Sequence, residues 1–155
     1  NLTNINNFFY QLDKIKNWNL IYGKKGFISY QFVLPLKNST KAIIDILNIL
    51  NKNKVYSFVS VIKSLGKNDG YLSFGIKGLT LVFDFPNNSN TYSVLNKIDQ
   101  VIIKNKGNIY LCKDSRISHS NFFKMKSNFY NKEFTKIRKG IKNKFYSEQS
   151  LRLNI

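Results

Sequence analysis

A chain of 155 residues that is 43% hydrophobic can bury one core, which excludes a disordered segment. Its net charge of +17 comes from 22 lysines and 3 arginines, whereas nucleic-acid sites recruit arginine for bidentate base contacts. Asparagine matches lysine at 22 residues, so enrichment in Lys, Asn and Ile together points to compositional drift rather than to a nucleic-acid partner, and an anionic membrane surface stays open.

Residues 1–25 carry aromatic side chains without a clean period, and are read as a linking segment with a short helix near Asp13 to Trp18. From residue 26 the pattern sharpens. In "GFISYQFVL", Ile28, Tyr30, Phe32 and Leu34 alternate with Ser29, Gln31 and Val33, which predicts a strand with one wet face. Asn38, Ser39 and Thr40 offer N-caps to a helix whose Ile43, Ile46, Leu47 and Leu50 share a stripe. Residues 55–65 predict a second strand, closed by the turn signal Asp69-Gly70. Leu79, Leu81, Phe83 and Phe85 then alternate with Thr80, Val82 and Asp84 up to Pro86. Ser89 or Asn90 is the expected cap of a second helix striped by Val94, Leu95, Ile98, Val101 and Ile102, with Gly107 at C′. Residues 109–111 give a last strand. Residues 118–129 and 132–141 predict short helices before an irregular tail.

The order β-α-β-β-α-β is that of an α+β ferredoxin-like plait, an antiparallel sheet with its helices on one face and extra C-terminal helices. The other face is free for function. By parity it carries Ser29, Gln31, Val33, Thr80, Val82, Asp84 and Tyr110. Lys113 is one residue out of phase with Tyr110, and joins them only if the strand ends or bulges near Cys112. A lysine at the margin of an apolar strand either snorkels to water or serves an electron-rich partner.

One cysteine and one histidine give neither a disulfide framework nor a metal-ligand set nor a Ser/His/Asp triad. Cys112 is expected as an inert buried thiol, His119 as a surface or cap residue, and Asp114 with Arg116 as a local ion pair. No run approaches the ~20 apolar residues of a membrane span. The chain opens on Asn1 without a signal peptide or a methionine, so a longer protein is expected.

Three functions suit an open sheet. "KGLTLVFD" (Lys77 to Asp84) imitates the opening of an RNA-recognition strand, but Leu79 and Leu81 replace the stacking aromatics and Asp84 takes the last aromatic position. A small-ligand or subunit-pairing module without catalysis stays open on fold alone. The third rests on resemblance. "FFYQLDKIKNWNLIYGKKGFISYQFVLP", "YSFVSVIKSLG", "LSFGIKGLTLVFDFP", "GNIYLCKDSR" and "FYSEQSLRL" together resemble, in order and spacing, the C-terminal substrate domain of the FAD-linked oxidases of the vanillyl-alcohol oxidase type, and in particular the branch of decaprenylphosphoryl-ribose oxidase and its bacterial relatives.

The resemblance implies that residues 26–155 form a substrate or cap domain over the flavin of an upstream FAD-binding domain, which is the expected partner. It implies FAD as cofactor and oxidation of a sugar hydroxyl, polyprenyl-phosphate-linked or as an aldonolactone. Tyr110 and Lys113 would contact the cofactor, with Lys113 catalytic; Gln31 and Lys63 would bind substrate, and Trp18, Thr80 and Val82 would line the pocket. Related aldonolactone oxidases carry Pro-His-Trp-x-Lys where this chain has Tyr110, Leu111 and Cys112 before Lys113, a departure that favours the polyprenyl-sugar branch. Val82 and Thr80 stand where members of that branch carry cysteine and asparagine. Location in the cytoplasm, or peripherally on a bacterial inner membrane, is the matching expectation.

Overall fold

The computed structural model describes residues 4–10, 14–66, 72–126, 132–141 and 144–155. Its elements run α1 (Ile5–Phe9), β1 (Phe27–Pro35), α2 (Ser39–Lys52), β2 (Val59–Leu65), β3 (Gly78–Pro86), α3 (Ser89–Lys104), β4 (Asn108–Ile109), α4 (His119–Lys126), α5 (Lys132–Gly140) and α6 (Glu148–Leu153). The sheet order is β2-β3-β1-β4, antiparallel throughout. This is the α+β plait that the alternation of β1 and β3 predicts.

The core follows from that alternation. Ile28, Tyr30, Phe32 and Leu34 of β1 and Leu81, Phe83 and Phe85 of β3 pack with Ala42, Ile46 and Leu50 of α2 and Val94, Leu95, Ile98 and Ile102 of α3. Burying such side chains contributes roughly 1.5–3 kcal/mol each. Tyr30 is the polar member of this set. Its hydroxyl donates to Asp99 Oδ1 at 2.6 Å, and Asp99 also receives both terminal nitrogens of Arg116, at 2.6 and 2.9 Å. The guanidinium lies 5.1 Å from the centre of the Tyr30 ring. Burial first, and then the Asp99 charge, raises the Tyr30 phenol well above its usual pKa. The expected partner of Arg116 was Asp114; the structure corrects this. Asp114 instead accepts from the Arg116 and Ile117 amides and pairs with Arg152 at 2.8 Å.

Several local expectations change. The helix expected near Asp13–Trp18 is not continuous: Lys14 is in a 3₁₀ turn, Asn17 is left-handed (φ 55°) and interrupts any right-handed helix there, and a second 3₁₀ turn, Trp18–Tyr22, follows. Asp13 lies outside the described residues, as does the Asp69-Gly70 turn. The second strand begins at Val59 rather than Val55, whose amide still closes α2 by donating to the Leu50 carbonyl. Asn88, not Ser89 or Asn90, caps α3, its side chain accepting from the Thr91 amide at 2.9 Å. The left-handed residue after α3 is Lys106 (φ 57°) rather than Gly107. The tail is not irregular: Ser147 caps α6 through a reciprocal bond with Ser150.

Gly107 is needed for a different reason, since a Cβ there would stand 2.6 Å from the Val33 carbonyl oxygen and 2.8 Å from Ile102 Cγ2. The obstruction is backbone, so Gly107→Ala is expected to cost about 1–3 kcal/mol by overpacking, read as a lowered urea midpoint with an unchanged slope.

Candidate functional site

The helix-free face is ordered by cross-strand pairing, because directly opposed residues project to the same side. Lys63 faces Thr80, which faces Val33; in the next row Val61 faces Val82, which faces Gln31. Tyr110 extends that second row, its amide donating to the Gln31 carbonyl at 2.8 Å. Gln31, Thr80, Val82, Lys63 and Tyr110 thus share one face. Thr80 and Val33, expected on a free face, are instead buried there (2% and 0% exposed); the Thr80 hydroxyl donates to the Phe32 carbonyl at 2.9 Å and accepts from Gln31 Nε2 at 3.1 Å. Lys63 is exposed, inside β2 rather than at its end.

The phase of Lys113 depends on where the last strand stops. β4 ends at Ile109, and Leu111–Lys113 form a 3₁₀ turn in which the Lys113 amide donates to the Tyr110 carbonyl at 3.1 Å. In a strand, residues three apart face opposite sides; in a 3₁₀ turn they eclipse. Because the strand stops at Ile109, strand parity no longer sets Lys113 against Tyr110. Lys113 is exposed, and no acidic side chain among the described residues pairs with it, since its neighbour Asp114 is turned inward to Arg152.

Aromatic side chains bound the face at two places. Phe74, in the segment before β3, contacts the Tyr110 ring at 4.8 Å between centroids. Tyr22 stacks on Phe27 at 4.0 Å, meets Phe58 and Trp18 edge-on, and donates its hydroxyl to Asp84 Oδ2 at 3.0 Å. Burial and then the Asp84 hydrogen bond raise the Tyr22 pKa. Trp18 is 41% exposed and so not a core residue. It lines a hollow of about 250 Å3 with Ile15, Lys16, Asn17, Ile21 and Val59. Because Val59 opposes Asp84, this hollow adjoins the row next to Gln31 and Val82.

Cys112 is exposed, not buried as expected. Its thiol, chiefly through a hydrogen bond, raises the Tyr110 phenol. His119 is exposed at the start of α4 with its ring against Phe123. Tyr22 and Phe74 are the bounding residues that sequence reading missed. Asp84 on an open face signalled the need for a donor such as Tyr22, but nothing in the chain order singled out Phe74. Among the described residues no cluster of His, Cys, Asp or Glu is arranged to hold a metal, and no helix is long and apolar enough to cross a membrane.

An open-faced plait of this kind, with aromatic bounds and lysines beside a polar row, is in keeping with the C-terminal domain of an FAD-linked oxidase. Sequence comparison agrees. The chain is 33% identical over 126 residues, 79% of its length, to decaprenylphosphoryl-β-D-ribose oxidase of Mycolicibacterium smegmatis. It spans 26% of that relative's length. No protein-family model matches the chain.

Proposed function

We propose that this chain is the substrate-binding part of an FAD-dependent oxidoreductase that oxidises a sugar hydroxyl, with a polyprenylphosphoryl ribose as the substrate class suggested by its relative's name. The observation that carries the reading is the exposed Lys113 ammonium, which has no acidic partner among the described residues and stands in the 3₁₀ turn directly after Tyr110, at the end of a face built from Gln31, Thr80 and Val82. That set fits a flavin ring edge: an aromatic and apolar surface for the flat ring, and one cation for its electron-rich carbonyl side.

FAD, when bound, supplies the acceptor for a hydride from the substrate carbon. Tyr110 and Lys113 are the residues assigned to the cofactor edge, where a fixed ammonium favours negative charge. Gln31 is oriented by Thr80, which occupies its amide nitrogen and leaves its carbonyl oxygen to accept from a substrate hydroxyl. Lys63, directly across from Thr80, supplies a cation for a phosphate or sugar oxygen. Val82 and Val61 line the floor between them, and Trp18 borders the adjoining hollow. Residues 26–155 act as the substrate domain, and a separate domain of the same protein grips the cofactor.

The test is to purify the full-length protein and add decaprenylphosphoryl-β-D-ribose without oxygen. Bound FAD that bleaches is the expected result, and a full-length protein that neither retains FAD nor bleaches it overturns the reading. The 155 residues alone are expected to leave FAD fluorescence unchanged at sub-micromolar concentration, because they offer the ring only edge contacts; tight binding by this piece contradicts the division between two domains.

A further inference from the structure

The turn that carries Lys113 is held from outside itself. Gln149, on α6, donates through Nε2 to the Leu111 carbonyl at 2.7 Å and to the Asp114 carbonyl at 3.1 Å, bracketing Cys112 and Lys113. One turn on, Arg152 donates through one terminal nitrogen to the Ile117 carbonyl and through the other to Asp114 Oδ2. Asp114, its side chain fully buried, in turn accepts from the Arg116 and Ile117 amides. Residues 149 and 152 are one helical turn apart, so both reach the same segment from one face of α6. Their partners lie 35 to 38 residues away in the chain. Local propensity of "LCKD" does not supply these bonds: 3₁₀ turns are short and have poor hydrogen-bond geometry of their own.

The geometry points to Gln149 as a positioning residue, with Arg152 as its second anchor, which together fix the backbone of 111–117 so that the Lys113 ammonium is held in one place. This rests on the reading of Lys113 as the flavin-edge cation. A preorganised charge stabilises a developing charge only while it is held in register, and misplacement by about 1 Å can cost on the order of a hundredfold. Gln149 touches neither cofactor nor substrate in this scheme.

A double-mutant cycle on the full-length, FAD-loaded protein separates the possibilities. The variants are Gln149→Met, which keeps side-chain length and removes the donor, Arg152→Met, Lys113→Met, and the Gln149/Lys113 pair. The readouts are the two-electron midpoint potential of the bound flavin, the rate of its anaerobic reduction by decaprenylphosphoryl-β-D-ribose, and hydrogen exchange of the 113–117 amides. Gln149→Met is expected to lower the potential in the same direction as Lys113→Met, slow reduction roughly tenfold or more, and speed exchange in 113–117; in the Lys113→Met background it should change the potential no further. Arg152→Met should act in the same direction. If Lys113→Met lowers the potential while both α6 variants leave it unchanged, positioning is overturned and Lys113 stands. A drop from Gln149→Met that adds fully to that of Lys113→Met also overturns it, because Gln149 then acts on its own. If Lys113→Met leaves the potential at the wild-type value, the Lys113 reading falls, and the positioning role falls with it.

Discussion

Replacing Lys113 with methionine in the full-length protein is expected to slow anaerobic flavin reduction on the order of a hundredfold, the usual effect of removing one preorganised electrostatic partner. Methionine keeps much of the apolar stem and removes the charge. Lys113 is exposed, and substitutions at such positions ordinarily change stability by roughly half a kcal/mol or less, so folding and FAD retention should be near wild type. Lys104→Met is the control, since Lys104 is exposed in the last turn of α3, on the helix layer rather than the open face. It should reduce flavin at the wild-type rate. Equal rates in wild type and both variants, with FAD retained, would reduce Lys113 to a snorkelling residue at the edge of the core.

The largest effect on stability is expected at Arg116. Its guanidinium and the Asp99 carboxylate have side-chain exposures of 6% and 0%, and it also donates to the Leu95 carbonyl and to Asn96 Oδ1. Arg116→Met leaves the Asp99 carboxylate buried with Tyr30 and Asn121 as its neutral donors among the described residues. Breaking a buried pair from one side typically costs about 3–5 kcal/mol, which should appear as a large fall in the denaturation midpoint. The paired change of Arg116→Met with Asp99→Leu, which removes both charges, should recover part of that loss. A cost under about 1 kcal/mol for Arg116→Met would show that water reaches Asp99 and that the network is a surface ion pair.

The sheet was legible because its signal is local. Period-two alternation in Ile28 to Leu34 and Leu79 to Phe85 fixes which face is core, and burial follows it except at Val33 and Thr80, which are buried on the opposite face, and at Leu79, which is only half-buried. Cap choice was less legible, since Asn88, Ser89 and Asn90 all have the right chemistry and only the backbone of Asn88 is extended. The pairing of Arg116 was hidden by distance: Asp114 is two residues away and Asp99 seventeen, and sequence proximity favoured the wrong carboxylate. Helix α6 was missed because six residues carry too little periodicity to detect. Its place depends on Leu153 in the core and on Gln149 and Arg152 reaching a distant turn. Of the candidate site, Gln31, Thr80, Val82 and Tyr110 came from parity, whereas Lys113 required knowing where a two-residue strand stops.

The 3₁₀ turn after Tyr110 makes the site tolerant of one kind of change and intolerant of another. Leu111 packs against the core, whereas Cys112 is exposed, so exchanging Cys112 for another small polar residue alters little about the backbone that carries Lys113. Inserting or deleting a single residue between Tyr110 and Lys113 rotates the lysine by about a third of a turn and breaks the spacing of the Leu111 and Asp114 carbonyls that Gln149 spans. Drift in composition, so evident elsewhere in this lysine- and asparagine-rich chain, can therefore pass through position 112, but drift in length cannot.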